Sequence, residues 1–313
     1  MNATEKHSGH SRQHQPRALL NDAIARRGNI DAMTAWTDDP GDVLLVRRGF
    51  SLPHVRASST PGFDAGKRAG VRQLAVGRSE LTQLQEMLFA ESRLGGRRSV
   101  LLVLQAMDTA GKGGIVEHVI GGINPAGVKV YGFKEPTAEE LSHDFLWRVR
   151  KQLPPTGFIG VFDRSHYEDV LVAWIRNVAE PAVIRQRYGQ IADFERQLVA
   201  TGTTIVKVML QISLDEQKKR LAARLDQADK HWKYNPGNLD ERELWPKYQE
   251  AYQLALERTS TTDAPWYVVP ANHKWYARIV VQRLLLDALR GLNLRWPIAE
   301  YDVEAERRRV ASS

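Results

Sequence analysis

Residues 100–120 read VLLVLQAMDTAGKGGIVEHVI, and the fold is decided there. The run Val100–Leu104 is unbroken and apolar, the pattern of a strand buried on both faces. A loop with Gly111, Gly113 and Gly114 follows, and then Ile115, Val116, Val119 and Ile120 recur along one face of a helix. In that order, backbone N–H groups gather at a helix N-terminus, where their partial positive charges suit a polyanion. Lys112 adds a full charge. The stretch therefore reads as a P-loop.

Two departures from the usual pattern carry consequences. Ala106 stands where the first glycine is usual, and Gly113 follows Lys112 where a Mg²⁺-binding Ser or Thr is expected. Without that hydroxyl a divalent ion needs other oxygen ligands, and Asp108, inside the loop, is the nearest. The third apolar run, Phe158–Phe162, ends on Asp163, the place of a carboxylate that holds Mg²⁺ beside a phosphate loop. In a parallel sheet Asp108 and Asp163 share one edge. Arg164 then lies beside the phosphates, where its planar fork suits charge developing on a transferred group. Ser165 is expected to cap the helix after it.

Working outward, four more β-type runs complete the pattern: Val128–Tyr131, Phe158–Phe162, Thr204–Leu210 and Trp266–Val269. The spacing between them accommodates helices, so the chain reads as a doubly wound α/β protein with a five-stranded parallel sheet flanked by helices. Before the first strand, Leu81, Leu84, Met87, Leu88 and Leu94 predict a helix over 78–94, stopped by Gly95 and Gly96. The charged stretch from about 214 to 258 breaks the rhythm and is expected to be a helical lid. Lys274–Leu289 reads as a closing helix. The chain is expected to divide into an N-terminal extension (1–48, partly flexible), a P-loop domain (49–295) and a charged tail (296–313). His7, His10 and His14 fall in the polar tail and fit no metal-ligand spacing well.

Four runs together resemble the polyphosphate kinase 2 family: LLVLQAMDTAGKGG (101–114), FKEPTAEELSHDFLWRV (133–149), FDRSHYEDVLV (162–172) and APWYVVPANHKWYAR (264–278). The similarity extends from about Phe50 to Leu289. It implies a P-loop kinase-like fold with a helical lid, and phosphoryl transfer between inorganic polyphosphate and a nucleoside mono- or diphosphate. Mg²⁺ is the implied cofactor, with Mn²⁺ as the alternative, and homodimers or homotetramers are the implied assemblies. By the same resemblance Asp108, Lys112, Asp163 and Arg164 are catalytic, with Asp108 and Asp163 as metal ligands. Gly111, Gly113, Gly114, Lys67, Lys134, Lys219, Arg220, Arg224 and Lys233 are drawn in as phosphate-binding residues.

Composition agrees with an anionic partner. The 313 residues include 44 Lys and Arg against 37 Asp and Glu, a net charge of +7. Around Lys218, Lys219, Arg220, Arg224, Lys230 and Lys233 the excess is local, and residues 220 and 224 lie one helical turn apart, placed to grip successive phosphates. His231, Trp232 and Tyr234 interleave with these bases, and core packing is the expectation for them rather than stacking on nucleic acid. Asp144 and Arg148 suit an i,i+4 pair. No apolar run approaches the ~18 residues a bilayer span needs, and cysteine is absent, so a cytoplasmic enzyme with no membrane partner is expected. Two rivals remain open on sequence: an ATP-dependent nucleoside or nucleotide kinase, distinguished by its donor, and a polyanion-binding protein without turnover, distinguished by salt-sensitive binding alone.

Overall fold

The computed structural model describes residues 35–313, so the polar segment 1–17 with its three histidines lies outside the described residues. Five strands form one sheet: β1 (Ser99–Ala106), β2 (Val128–Gly132), β3 (Ile159–Asp163), β4 (Thr203–Gln211) and β5 (Trp266–Pro270). Their order is β2-β3-β1-β4-β5, and every neighbouring pair is parallel. The expected α/β architecture is met, each strand falling within two residues of its apolar run. All eight residues of β1 are buried because strands flank it on both sides and helices cover both faces. β2, at an edge, alternates between half-buried and exposed.

The order of strands positions the site. After β1 the chain crosses to β2 beyond β3, and later passes to β4 on the other side, so the crevice of a doubly wound sheet opens at the carboxyl end of β1. Leu104 pairs with Asp163, which places the last residue of β3 just below the loop that leaves β1 at Ala106.

The helix before β1 spans Gly66–Ser92, twelve residues longer at its start than the apolar spacing predicts. Gly70 and Gly77 hide it from a reading of propensities, yet both are contact points with the helix Lys274–Gly291. A Cβ on Gly70 would stand 2.4 Å from the Trp275 ring, and one on Gly77 would stand 2.4 Å from Gln282 Oε1.

Two other boundaries differ from the sequence reading. Residues 44–46 lie antiparallel to β5, with Val46 N donating to Trp266 O at 2.9 Å and Val268 N donating to Leu44 O at 3.0 Å. Leu44 and Val46 are buried. The described part of the segment read as an extension thus covers the outer edge of β5, which would otherwise offer unpaired backbone groups. The segment read as a lid comprises helices Leu214–Leu225 and Gly237–Glu243, a 3₁₀ turn at Ala228–Lys233, and the helix Trp245–Thr259. That last helix buries Tyr248, Ala251, Tyr252, Ala255, Leu256 and Thr259, so it belongs to the body rather than the lid. At the C-terminus, Asp302 caps an exposed helix, Val303–Ala311. Among the described residues no helix is long and apolar enough to cross a membrane.

Candidate active site

The loop after β1 closes with backbone angles that a strand or helix does not supply. Thr109 has φ +64° and Gly111 φ +121°. An L side chain at Gly111 would be strained, which accounts for glycine there. Lys112 opens a helical turn that continues as a π-helical turn over Val116–Ile120, burying Ile115, Val119 and Ile120. Gly113 has open space where a Cβ would be. The loop borders a cleft of about 570 Å³.

Both carboxylates line that one cleft, together with Gly111, Lys112, Gly113, Gly114 and Arg164. Lys112 is buried; its Nζ donates to Ala106 O at 3.2 Å and lies 3.9 Å from Asp163 Oδ1. Burial pulls the Lys112 ammonium below the ordinary lysine value, and Asp163 opposes that pull. Arg164 has φ +63° and donates its N–H to Leu104 O at 3.0 Å. Burial alone would lower its guanidinium, but Glu168 and Asp108 outweigh burial and hold it above its ordinary value. Ser165 Oγ accepts from Tyr167 N at 3.2 Å in the turn ahead of helix Glu168–Ile175, whose N-cap is Tyr167 without a side-chain cap bond, so the expected capping by Ser165 is not met.

From the lid, Arg224 donates to Asp108 Oδ2 at 3.2 Å and to Lys233 O at 2.9 Å. Gln217 donates to Asp108 O at 3.1 Å, so the lid helix is tied to the loop beneath it. Arg224 and Lys233 line the cleft, as does Arg220, but Arg220 is differently employed. Its guanidinium donates to Glu216 and to the carbonyls of Thr109, Ala110, Ala271 and Asn272. With those donors taken, Arg220 straps the phosphate loop to the segment after β5 and does not present a free fork. The expected grip of residues 220 and 224 on successive phosphates is corrected accordingly.

Lys67, Lys134 and Lys219 are exposed and stand outside the cleft lining. Lys274 and Arg278, not singled out from sequence, line it instead. They are four residues apart at the start of the helix after β5, and a helix following a parallel strand begins at the carboxyl edge of the sheet, so topology was the available signal. Lys230 and Trp232 line it too. Trp232 is 78% exposed, not packed in the core, with Lys233 Nζ 4.9 Å from its ring centre. Asp144 pairs with Arg150 at 2.7 Å rather than with Arg148, because the segment breaks into two short helices and Arg148 turns inward to Asp169.

Among the described residues no group of three or more His, Cys, Asp or Glu is gathered to enclose a metal. Three carboxylates line the cleft: Glu117, largely exposed on the helix beyond the loop, and Asp108 and Asp163, each about one-third exposed at 34% beside Lys112 and Arg224. Two accessible carboxylates suit a hard cation that keeps waters and takes phosphate oxygens, the habit of Mg²⁺ and Mn²⁺. Thr109 Oγ1 is buried without a hydrogen-bond partner in the same loop. The arrangement can therefore bind a phosphate chain through amides and cations and neutralise it through a carboxylate-held ion.

The family model described as polyphosphate kinase 2 matches residues 65–295. An AMP/ADP-polyphosphate phosphotransferase of Meiothermus ruber is 47% identical over 251 residues, covering 80% of this chain and 92% of that protein. An ADP-polyphosphate phosphotransferase of Rhodopseudomonas palustris is 42% identical over 229 residues, covering 69% of this chain and 78% of that protein. The crystal structure of a polyphosphate kinase 2 from Arthrobacter aurescens superposes with a TM-score of 0.87 at 57% identity, covering 89% of this chain and 98% of that one.

Proposed function

The chain belongs to the polyphosphate kinase 2 family, and from that membership we propose that its cleft transfers a phosphoryl group between inorganic polyphosphate and a nucleoside mono- or diphosphate. One observation carries the reading: Asp108, Lys112, Asp163 and Arg164 line a single cleft at the carboxyl end of a parallel sheet, beside a loop of amides.

The bond that breaks joins the terminal phosphorus of the donor chain to its bridging oxygen. The bond that forms joins that phosphorus to a phosphate oxygen of the acceptor. Because the acceptor oxygen is already anionic, no side chain has to remove a proton, and catalysis reduces to alignment and charge stabilisation. The loop amides from Gly111 to Gly114 hold the non-bridging oxygens. Lys112, anchored by Ala106 O, brings its ammonium to the same place. Arg164 faces the charge spread over the equatorial oxygens of the transferred group. Arg224 exchanges its contact with Asp108 for the phosphate chain, and Lys233, Lys274 and Arg278 line the same cleft.

Asp108 and Asp163 are the residues that would hold a divalent ion, Mg²⁺ or Mn²⁺, which supplies neutralisation across neighbouring phosphate oxygens when bound. Phosphoanhydride bonds of similar energy are exchanged, so the reaction runs in either direction according to concentrations. We propose the cytoplasm as its location, on the lack of cysteine and of a membrane-length apolar run, and a homodimer or homotetramer as its assembly, on the family resemblance. The test is a nucleotide panel (AMP, ADP, GMP, GDP) incubated with long-chain polyphosphate and Mg²⁺, with products resolved by charge. At least one acceptor gains a phosphoryl group; a protein that phosphorylates only with ATP as donor contradicts the reading.

A further inference from the structure

Arg164, like Thr109, holds a backbone conformation that non-glycine residues rarely keep. At φ +63° it occupies a left-handed conformation that a non-glycine residue keeps only when its surroundings over-determine it. Its N–H bond to Leu104 O fixes one side. The other side is fixed by the residues that follow, for Ser165, His166 and Tyr167 are all at most 1% exposed.

Two of those side chains, His166 and Tyr167, end on a buried ion pair that no step of the transfer uses. Lys207 of β4 donates to Glu195 Oε2 at 2.5 Å, and neither side chain is more than 1% exposed. His166 Nε2 donates to Glu195 Oε1 at 3.2 Å, and Tyr167 Oη donates to the same oxygen at 2.8 Å. Lys207 also donates to Tyr167 Oη at 3.0 Å and to Thr259 O at 2.7 Å. Burial alone would raise the Glu195 carboxyl, but Lys207 and His166 outweigh it and hold Glu195 below its ordinary value. A buried pair of this kind adds little stability over apolar side chains of the same shape, whereas it fixes directions that apolar packing leaves free. Here the directions fixed are those of two consecutive side chains, starting two residues beyond the strained arginine.

We infer that the Glu195–Lys207 pair is a positioning device for the reaction: through His166 and Tyr167 it anchors the turn that carries Arg164 and so sets the guanidinium against the transferred phosphoryl group. The inference rests on the role given to Arg164 above. Tyr167 and Glu195 are positioning residues, since neither lines the cleft.

The test is a double-mutant cycle on the full chain with ADP and polyphosphate. Tyr167→Phe keeps the ring and removes the hydroxyl. It is expected to lower kcat about tenfold to 100-fold, the scale of a small misplacement of a catalytic group, with KM for polyphosphate within about twofold. Arg164→Ala is assayed at enzyme concentrations that read its residual turnover. The double variant is expected to match Arg164→Ala alone, because positioning is worthless once the positioned group is gone. Should Tyr167→Phe not fold, His166→Phe enters the same cycle. An unchanged kcat in Tyr167→Phe, or two losses that multiply in the double variant, overturns the inference. Full activity in Arg164→Ala refutes the role of Arg164 itself, a separate failure.

Discussion

Lys112 is held between two opposing influences, burial that favours its neutral form and Asp163 at 3.9 Å that favours its charge. Burial prevails, so the free enzyme loses this proton at lower pH than an ordinary lysine would. A bound polyanion favours the charged form and raises that pH again. The alkaline limb of kcat/KM, which reports free enzyme, is therefore expected at lower pH than the alkaline limb of kcat, which reports the complex. Coincident limbs in a pH series would show that Lys112 does not titrate as described. Lys112→Ala or Asp163→Asn is expected to cost at least about 10²-fold to 10³-fold in kcat while circular dichroism and melting behaviour are retained. These residues were legible in the sequence because each belongs to a local pattern, an apolar run followed by a loop or a carboxylate. Arg220 was not: its partners are carbonyls of Thr109, Ala110, Ala271 and Asn272, about 50 or more positions away, and residue spacing cannot reveal that they have absorbed its donors.

The helices show a similar division. Four of the five strands could be placed because buried parallel strands leave largely apolar runs, and the edge strand β2 by its Val and Tyr residues, whereas the first half of helix Gly66–Ser92 was hidden by glycines that serve packing. Gly77→Ala puts a methyl where Gln282 Oε1 stands at 2.4 Å, and overpacking of this kind is expected to cost about 1–3 kcal/mol in chemical denaturation. Unaltered stability would mean that the two helices can separate freely. The segment 214–258 was set apart by its charge, but helix Trp245–Thr259 was included in it because its buried face is interrupted by polar residues. On helix Leu214–Leu225, Arg224→Gln removes the cation facing Asp108 without disturbing a buried segment. An increase of about tenfold in KM for polyphosphate is expected, the scale of one charge-assisted hydrogen bond, and is checked by initial rates at saturating nucleotide.

At the scale of the whole molecule, the charge excess of +7 and the concentration of cations around one cleft make encounter with polyphosphate electrostatic. Raising ionic strength should lower kcat/KM for polyphosphate while leaving kcat nearly unchanged, because screening weakens long-range attraction more than contacts inside the cleft. The central claim is that Asp108 and Asp163 hold one divalent ion at the sheet edge where the phosphate chain lies. Electron paramagnetic resonance of Mn²⁺ titrated into the protein with ADP and polyphosphate tests it directly. One ion is expected to bind per chain, with affinity lost in both Asp108→Asn and Asp163→Asn; Mn²⁺ bound with undiminished affinity by both variants would mean that these carboxylates do not hold it.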